Sequence, residues 1–219
     1  MAAVFIDIHT HSAEGNAHPS RLLQVHNVAL NHQEDVYASP STAGLHPWYV
    51  DPATVGAAFE KLVYLLEEKA IIGIGECGLD KLAAADFSLQ QEVFSKHVQL
   101  AKSYHVPLIL HCVRAFQEVL QSLANQKYAG TVIFHGYQKN ILLARTLLQK
   151  GYFLSFGHYI LQGRLDDLLK EIPLQQLFLE TDTASTPIES IYDYVARVRN
   201  QELSTLKEQL FKNYQSVFH

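Results

Sequence analysis

Six residues able to bind metal stand at the ends of short apolar runs, spread along nearly the whole chain. They are His9 and His11 in FIDIHTH, Glu76 in IIGIGE, His111 in VPLILH, His135 in TVIFH and Asp182 in LFLETD. Imidazole nitrogens and carboxylate oxygens both ligate divalent first-row metals, and four imidazoles with two carboxylates make the set that a pair of such ions needs. Strand side chains alternate with a period of two, so His-x-His sends both rings to one side and can grip one ion from a single strand. One such run would mean little. Five in the same orientation point to one metal centre assembled by the fold. His18, His26, His32, His97, His105 and His219 fall on loops, helix faces or the terminus and are given no chemistry.

Groups placed this way need a scaffold that ends several strands at one edge. Residues 4–9, 71–76, 106–111, 131–135, 152–157 and 176–182 read as strands rich in Ile, Val, Leu and Phe. Between them, apolar residues at helical spacing predict helices over 53–69, 87–104, 114–126, 139–150 and 161–171, with two more over 188–199 and 202–217. Alternation of this kind argues a parallel sheet with helical crossovers. With strand runs near 23–29 and 38–45 the count is eight, and an eight-stranded TIM-type barrel of the α/β class is expected. Residues 20–31 fit least well. The NHQED connection is too short for a parallel crossover, and RLLQVHNVAL lacks a clean helical stripe, so a second strand antiparallel to the third is preferred over a helix.

At 219 residues and 48% hydrophobic, the chain can bury one full core, and residues 1–219 are expected to form a single domain. Seventeen Lys and Arg against 22 Asp and Glu give a net charge of −5, with no long basic run, so overall charge lends no support to a sequence-independent grip on duplex nucleic acid. Cys77 and Cys112 each follow a proposed ligand and point to the opposite side, which makes them core packing, not metal thiolates. Two isolated cysteines make no disulfide framework. No signal-like start or membrane-length apolar run is present, and a cytoplasmic protein is expected.

DIHTH, GLHPW, GECGLD, LHCVRA, FHGY and LETD resemble, in order and approximate spacing, the motifs of the TatD-like metal-dependent hydrolases of the amidohydrolase superfamily. QQEVFSKHVQLAKSYHVPLILH is similar to the family's helix-then-strand block, and NYQSVF to its C-terminal asparagine motif. The resemblance covers essentially the whole chain. It implies a distorted eight-stranded barrel, a two-metal site and phosphodiester hydrolysis, since several members are deoxyribonucleases. It also implies that His9, His11 and Asp182 hold one ion, that His111 and His135 hold the other, and that Glu76 bridges both. The chain departs from the pattern in four places. Val113 stands where many relatives have arginine, with Arg114 one later; Lys81 replaces a tyrosine; TDTASTPIES is short and has no basic residue; and the first two βα units are shortened.

Two divalent ions about 3.5–4 Å apart can share a water, lower its pKa and polarise the scissile oxygen. Glu76 offers two oxygens for bridging, and Asp182 would take the proton from the attacking water. A histidine-rich set favours zinc, manganese or iron over magnesium, which prefers oxygen ligands. His46 and Trp48 end the third strand and, with Arg114, are the candidate substrate contacts. Asp80 reads either as the acceptor that orients a metal-bound histidine or as the cap of the following turn. Tyr137 and Lys139 read as a solvated helix start. The expected function is a metal-dependent hydrolase of DNA, oligonucleotides or another small phosphodiester, with no membrane or protein partner implied. Hydrolysis of an amide or carboxylic ester, and a non-catalytic metal-binding barrel, are the alternatives.

Overall fold

The computed structural model describes residues 4–12, 21–32 and 40–218. The chain begins with β1 (Phe5–Thr10), β2 (Leu22–Ala29), β3 (Ser41–Gly44), a 3-10 turn at Pro47–Tyr49 and α1 (Val55–Glu67). It continues through β4 (Gly73–Asp80), α2 (Phe87–Tyr104), β5 (Leu108–Val113), α3 (Phe116–Asn125), β6 (Val132–Phe134), α4 (Ile141–Gln149) and β7 (Phe153–Phe156). α5 (Asp166–Glu171), β8 (Leu177–Leu179), α6 (Ile188–Arg199) and α7 (Leu203–Phe218) complete it. The strands form one sheet in the order β1 through β8. The pairs β1–β2, β3–β4, β4–β5 and β7–β8 are parallel, and a bridge from Thr10 to Asp182 joins β1 to the chain leaving β8. The fold is a nearly closed α/β barrel of eight parallel strands, as expected. Two compact units divide it: residues up to His26 with those from Phe134 onward, and Asn27–Ile133.

The expected antiparallel second strand is corrected. β2 is a strand, but it runs parallel to β1, with Phe5 opposite Leu22 and Asp7 opposite Gln24. The connection to β3 is longer than NHQED, because β2 stops at Ala29 and β3 starts only at Ser41. Residues 30–40 can reach about 35 Å when extended, ample for the return to the start of a short strand. The expected SAEGNAHPS loop beyond Ser12, with His18, lies outside the described residues, as do residues 33–39 and His219. The helix expected over 161–171 is also shorter. A 3-10 turn, His158–Gln162, ends at Gly163 in the left-handed region (φ +77°), and α5 begins only at Asp166.

Local signals explain the well-placed elements. α2 starts where the Asp86 carboxylate accepts the Leu89 N–H at 2.8 Å and stops where His105 turns left-handed. Its buried face is Val93, Phe94, His97, Val98 and Ala101, a stripe at helical spacing. α6 follows Pro187 and ends at left-handed Asn200, with Arg197 and Arg199 in its last turn against the negative end of the helix dipole. From α6, the buried Tyr192 hydroxyl donates to Ile6 O at 2.9 Å and accepts the Ile6 N–H at 3.0 Å. It thereby satisfies both backbone groups of one β1 residue inside the core. Among the described residues, no helix is long and apolar enough to cross a membrane.

Candidate metal centre

Two of the expected ligands sit at strand irregularities. In β1 the register shifts between Asp7 and Thr10, and His9 lies in that bulge, fully buried. In β4 it shifts between Ile74 and Cys77, and Glu76 lies in that one. A bulge re-aims a side chain out of the plain alternation. Glu76 is therefore not at a strand end, as expected, but four residues before the end of β4. Gly78 permits the close approach of β5: its φ is +139°, and a Cβ there would stand 2.0 Å from His111 O.

In the first unit His9, His11 and Asp182 each offer a ligand atom, and these atoms all lie within 4.8 Å of one another. His11 Nε2 is 3.6 Å and His9 Nε2 3.9 Å from Asp182 Oδ1. Asp182 adopts a left-handed backbone (φ +54°), fixed by two hydrogen bonds: its N–H donates to His9 O and its carbonyl accepts the His11 N–H. The His135 ring lies 4.3 Å from the His9 ring, centroid to centroid.

Two carboxylates absent from the expected set support these groups. Buried Asp7 accepts from the Thr181 N–H at 2.9 Å, the Thr181 hydroxyl at 2.7 Å and Gln24 Nε2 at 3.3 Å. It pins the residue before Asp182 to β1. Burial pushes its carboxyl up to about 7, against the hydrogen bonds it accepts. Fully buried Glu180 accepts the Gly136 N–H at 2.8 Å and stands 3.4 Å from His135 Nδ1. Burial pushes its carboxyl up, but the His135 ring, by charge and hydrogen bond, outweighs that and holds it below the usual range. An ionisable residue inside or beside an apolar run (FID, LFLE) was the only sequence signal for either.

In the second unit His46, Glu76 and His111 form a comparable group, again with ligand atoms all within 4.8 Å. Glu76 Oε1 lies 2.8 Å from His111 Nδ1 and 3.1 Å from His46 Nε2. Asn27 Oδ1 accepts the Glu76 N–H. Asp80 takes both of the roles weighed for it: Oδ2 meets His111 Nε2 at 2.9 Å, and Oδ1 accepts the Leu82 N–H at 2.7 Å. Burial works against its charge, but hydrogen bonds from His111, Trp48 and Leu82 hold its carboxyl at about 2.

The expected substrate contacts separate. His46 lies inside the second group. Trp48 is 53% exposed and anchored by its indole N–H to Asp80. Arg114 is exposed at φ +54° and belongs to neither group. Tyr137, expected in a solvated helix start, is buried and donates its hydroxyl to Asn140 O. Cys77 is buried with its thiol pushed well up by burial, and neither it nor Cys112 joins a ligand group.

The donor set fits divalent metal. Each group offers imidazole nitrogen and carboxylate oxygen with no thiolate, the ligand chemistry of zinc, manganese or iron.

The model of the TatD-related DNase family matches residues 6–219. The chain belongs to this family. It is accordingly a metal-dependent hydrolase of the TatD type. It is 25% identical over 195 residues to the uncharacterized metal-dependent hydrolase YjjV of Escherichia coli K12, covering 80% of this chain and 75% of that protein. It is 34% identical over 152 residues to the 3'-5' ssDNA/RNA exonuclease TatD of Klebsiella pneumoniae, covering 65% of this chain and 56% of that one. The crystal structure of E. coli YjjV shares the fold with a TM-score of 0.82 at 22% identity, over 100% of this chain and 99% of that one.

Proposed function

We propose that this TatD-family chain hydrolyses phosphodiester bonds in single-stranded nucleic acid ends or short oligonucleotides, using two divalent ions. The observation that carries this reading is the clustering of imidazole and carboxylate groups, His9 and His11 with Asp182, and His111 with Glu76. The six residues expected from the sequence would hold these ions, with Glu76 shared between them as the TatD resemblance implies. His9, His11 and Asp182 would hold one ion and His111 and His135 the other, and His46 and Trp48 would face the substrate. When bound, the ions supply Lewis-acid polarisation of the phosphoryl oxygen and a water of lowered pKa. Asp182 takes the proton from water in this reading, and its side chain, 34% exposed, is open to solvent. Glu76 is buried and suited to holding metal, not to exchanging protons with solvent.

The name of the Klebsiella relative supports a nucleic-acid substrate. The proposed form of that substrate is supported by a pocket of about 720 Å³ beside His11 and Asp182. Its lining is rich in hydroxyls, among them Ser12, Thr183 and Thr186, and includes no Lys or Arg among the described residues. Such a wall suits sugar and base, not a run of phosphates. Two free cysteines accord with a cytoplasmic location, proposed with this function.

The test is turnover after reconstitution with zinc or manganese. Bis(4-nitrophenyl) phosphate and a single-stranded oligonucleotide should be cleaved, and 4-nitrophenyl acetate poorly. Cleavage of the carboxylic ester alone would move the chain to amidohydrolase chemistry, and bound metal without turnover would make it a binding barrel.

A further inference from the structure

In the first unit the chain leaves β7 at the same barrel edge where it leaves β8. Phe156 is paired with Leu179, and its carbonyl accepts the Glu180 N–H at 3.1 Å. The 3-10 turn His158–Gln162 therefore starts just past the strand pair whose other chain runs on to Asp182. Two backbone hydrogen bonds close the turn, from the Ile160 N–H to Gly157 O at 3.2 Å and from the Gly163 N–H to Ile160 O at 2.9 Å. Ile160 is buried and fixes the turn to the core. Its neighbours on either side are not: Tyr159 is 45% and Leu161 39% exposed.

Large apolar side chains scattered singly over a surface are ordinary. Trp48, Tyr64, Leu82 and Leu142 are of that kind, each alone in its stretch of sequence, whereas Tyr159 and Leu161 share one short turn. The His158 ring backs Tyr159, with centroids 4.0 Å apart and a tilt of 34°. Arg164 follows, exposed and without an ion pair among the described residues. The carboxylates after it are engaged elsewhere: Asp166 accepts from the Tyr194 hydroxyl at 2.7 Å, and Asp167 lies 3.5 Å from Lys170 Nζ. An aromatic face, an aliphatic side chain and a guanidinium within six residues are what a single strand needs, for base, sugar and phosphate in turn. A protein partner would need roughly 800 Å² of surface, far more than this turn presents.

We propose that the turn His158–Gln162, with Arg164, is a platform for a single-stranded nucleic acid, on which Tyr159 stacks against a base and Arg164 pairs with a backbone phosphate. The inference rests on the nucleic-acid reading above and adds to it a contact outside the metal-ligating residues. Stacking is tolerant of sequence, because every base has a π-face. One arginine adds one phosphate contact, in keeping with a net charge of −5.

The experiment is fluorescence anisotropy of the zinc-loaded full chain with two labelled strands. One is a phosphorothioate octathymidylate, whose linkages resist hydrolysis; the other is an abasic octamer of the same backbone. Tyr159→Ala should weaken octathymidylate binding by about 5- to 150-fold and leave the abasic octamer unchanged. Tyr159→Phe, which keeps the ring, should bind as the parent does. Arg164→Gln should weaken both strands and reduce the salt slope by about 0.7, one phosphate on a single strand. A parent that does not prefer the thymidylate, a Tyr159→Ala variant that binds it undiminished or loses both strands equally, or an unchanged slope in Arg164→Gln would overturn the proposal. Turnover of bis(4-nitrophenyl) phosphate by the parent reports the hydrolase reading separately. Base-dependent binding without turnover would keep the platform and sink that reading, and turnover without base preference would do the reverse.

Discussion

The indole N–H of Trp48 donates to Asp80 Oδ2 at 2.6 Å. That oxygen is also the one facing His111 Nε2, so a surface tryptophan and a proposed ligand share one carboxylate. Asp80→Asn keeps an oxygen for the Leu82 turn but removes the charge that holds the His111 proton. Carboxylate partners of metal-bound histidines are typically worth 10–100-fold in metal affinity or activity. Metal affinity should therefore weaken by about that range with thermal stability nearly unchanged, as measured by chelator competition. Unaltered affinity would reduce Asp80 to a turn cap.

His97 supplies a pH signature and belongs to neither metal group. It is fully buried on α2, and its Nε2 accepts the Leu45 N–H at 3.1 Å. Burial holds it neutral, down to about 3, whereas in the unfolded chain it takes a proton near 6.5. Its folded pKa is depressed, so its contribution is complete above about pH 6.5 and is lost as pH falls toward 3. Between pH 7.5 and 5 the parent should lose about 2 kcal/mol more stability than His97→Gln, read from urea midpoints. Parallel curves for the two proteins would contradict the buried neutral ring.

Much of this arrangement was legible because ionisable residues ended apolar runs. VPLILH and TVIFH become β5 and β6, with His111 inside the first and His135 just past the second. What was hidden depends on partners distant in the chain. The bulges at His9 and Glu76 are properties of register between two strands, and no single run displays them. Asp7 and Glu180 look like stray charges until Thr181 and Gly136 are brought against them. The direction of β2 is hidden because NHQED is only part of its connection to β3, which runs from Ala29 to Ser41.

Nucleic acid should be held through few phosphates. The net charge is −5, and the pocket beside Asp182 has no Lys or Arg in its described lining. Neutralising Z phosphates gives a salt slope of about −0.9Z on duplex and −0.7Z on single strands. Fluorescence anisotropy at increasing salt should give Z of roughly three or fewer, with single-stranded ends preferred over intact duplex. A steep slope with tight duplex binding would reveal a basic surface that this account lacks.

Metal stoichiometry tests most directly the proposal that Glu76 is shared between the two ions. Inductively coupled plasma mass spectrometry on zinc-reconstituted protein should find about two ions per chain in the parent. Asp182→Asn should keep most of its metal while losing about 10²–10⁴-fold in rate. Glu76→Ala should lose both ions together. A Glu76→Ala chain that still holds an ion on His9, His11 and Asp182 would show that the two groups are independent, and would contradict the bridged centre.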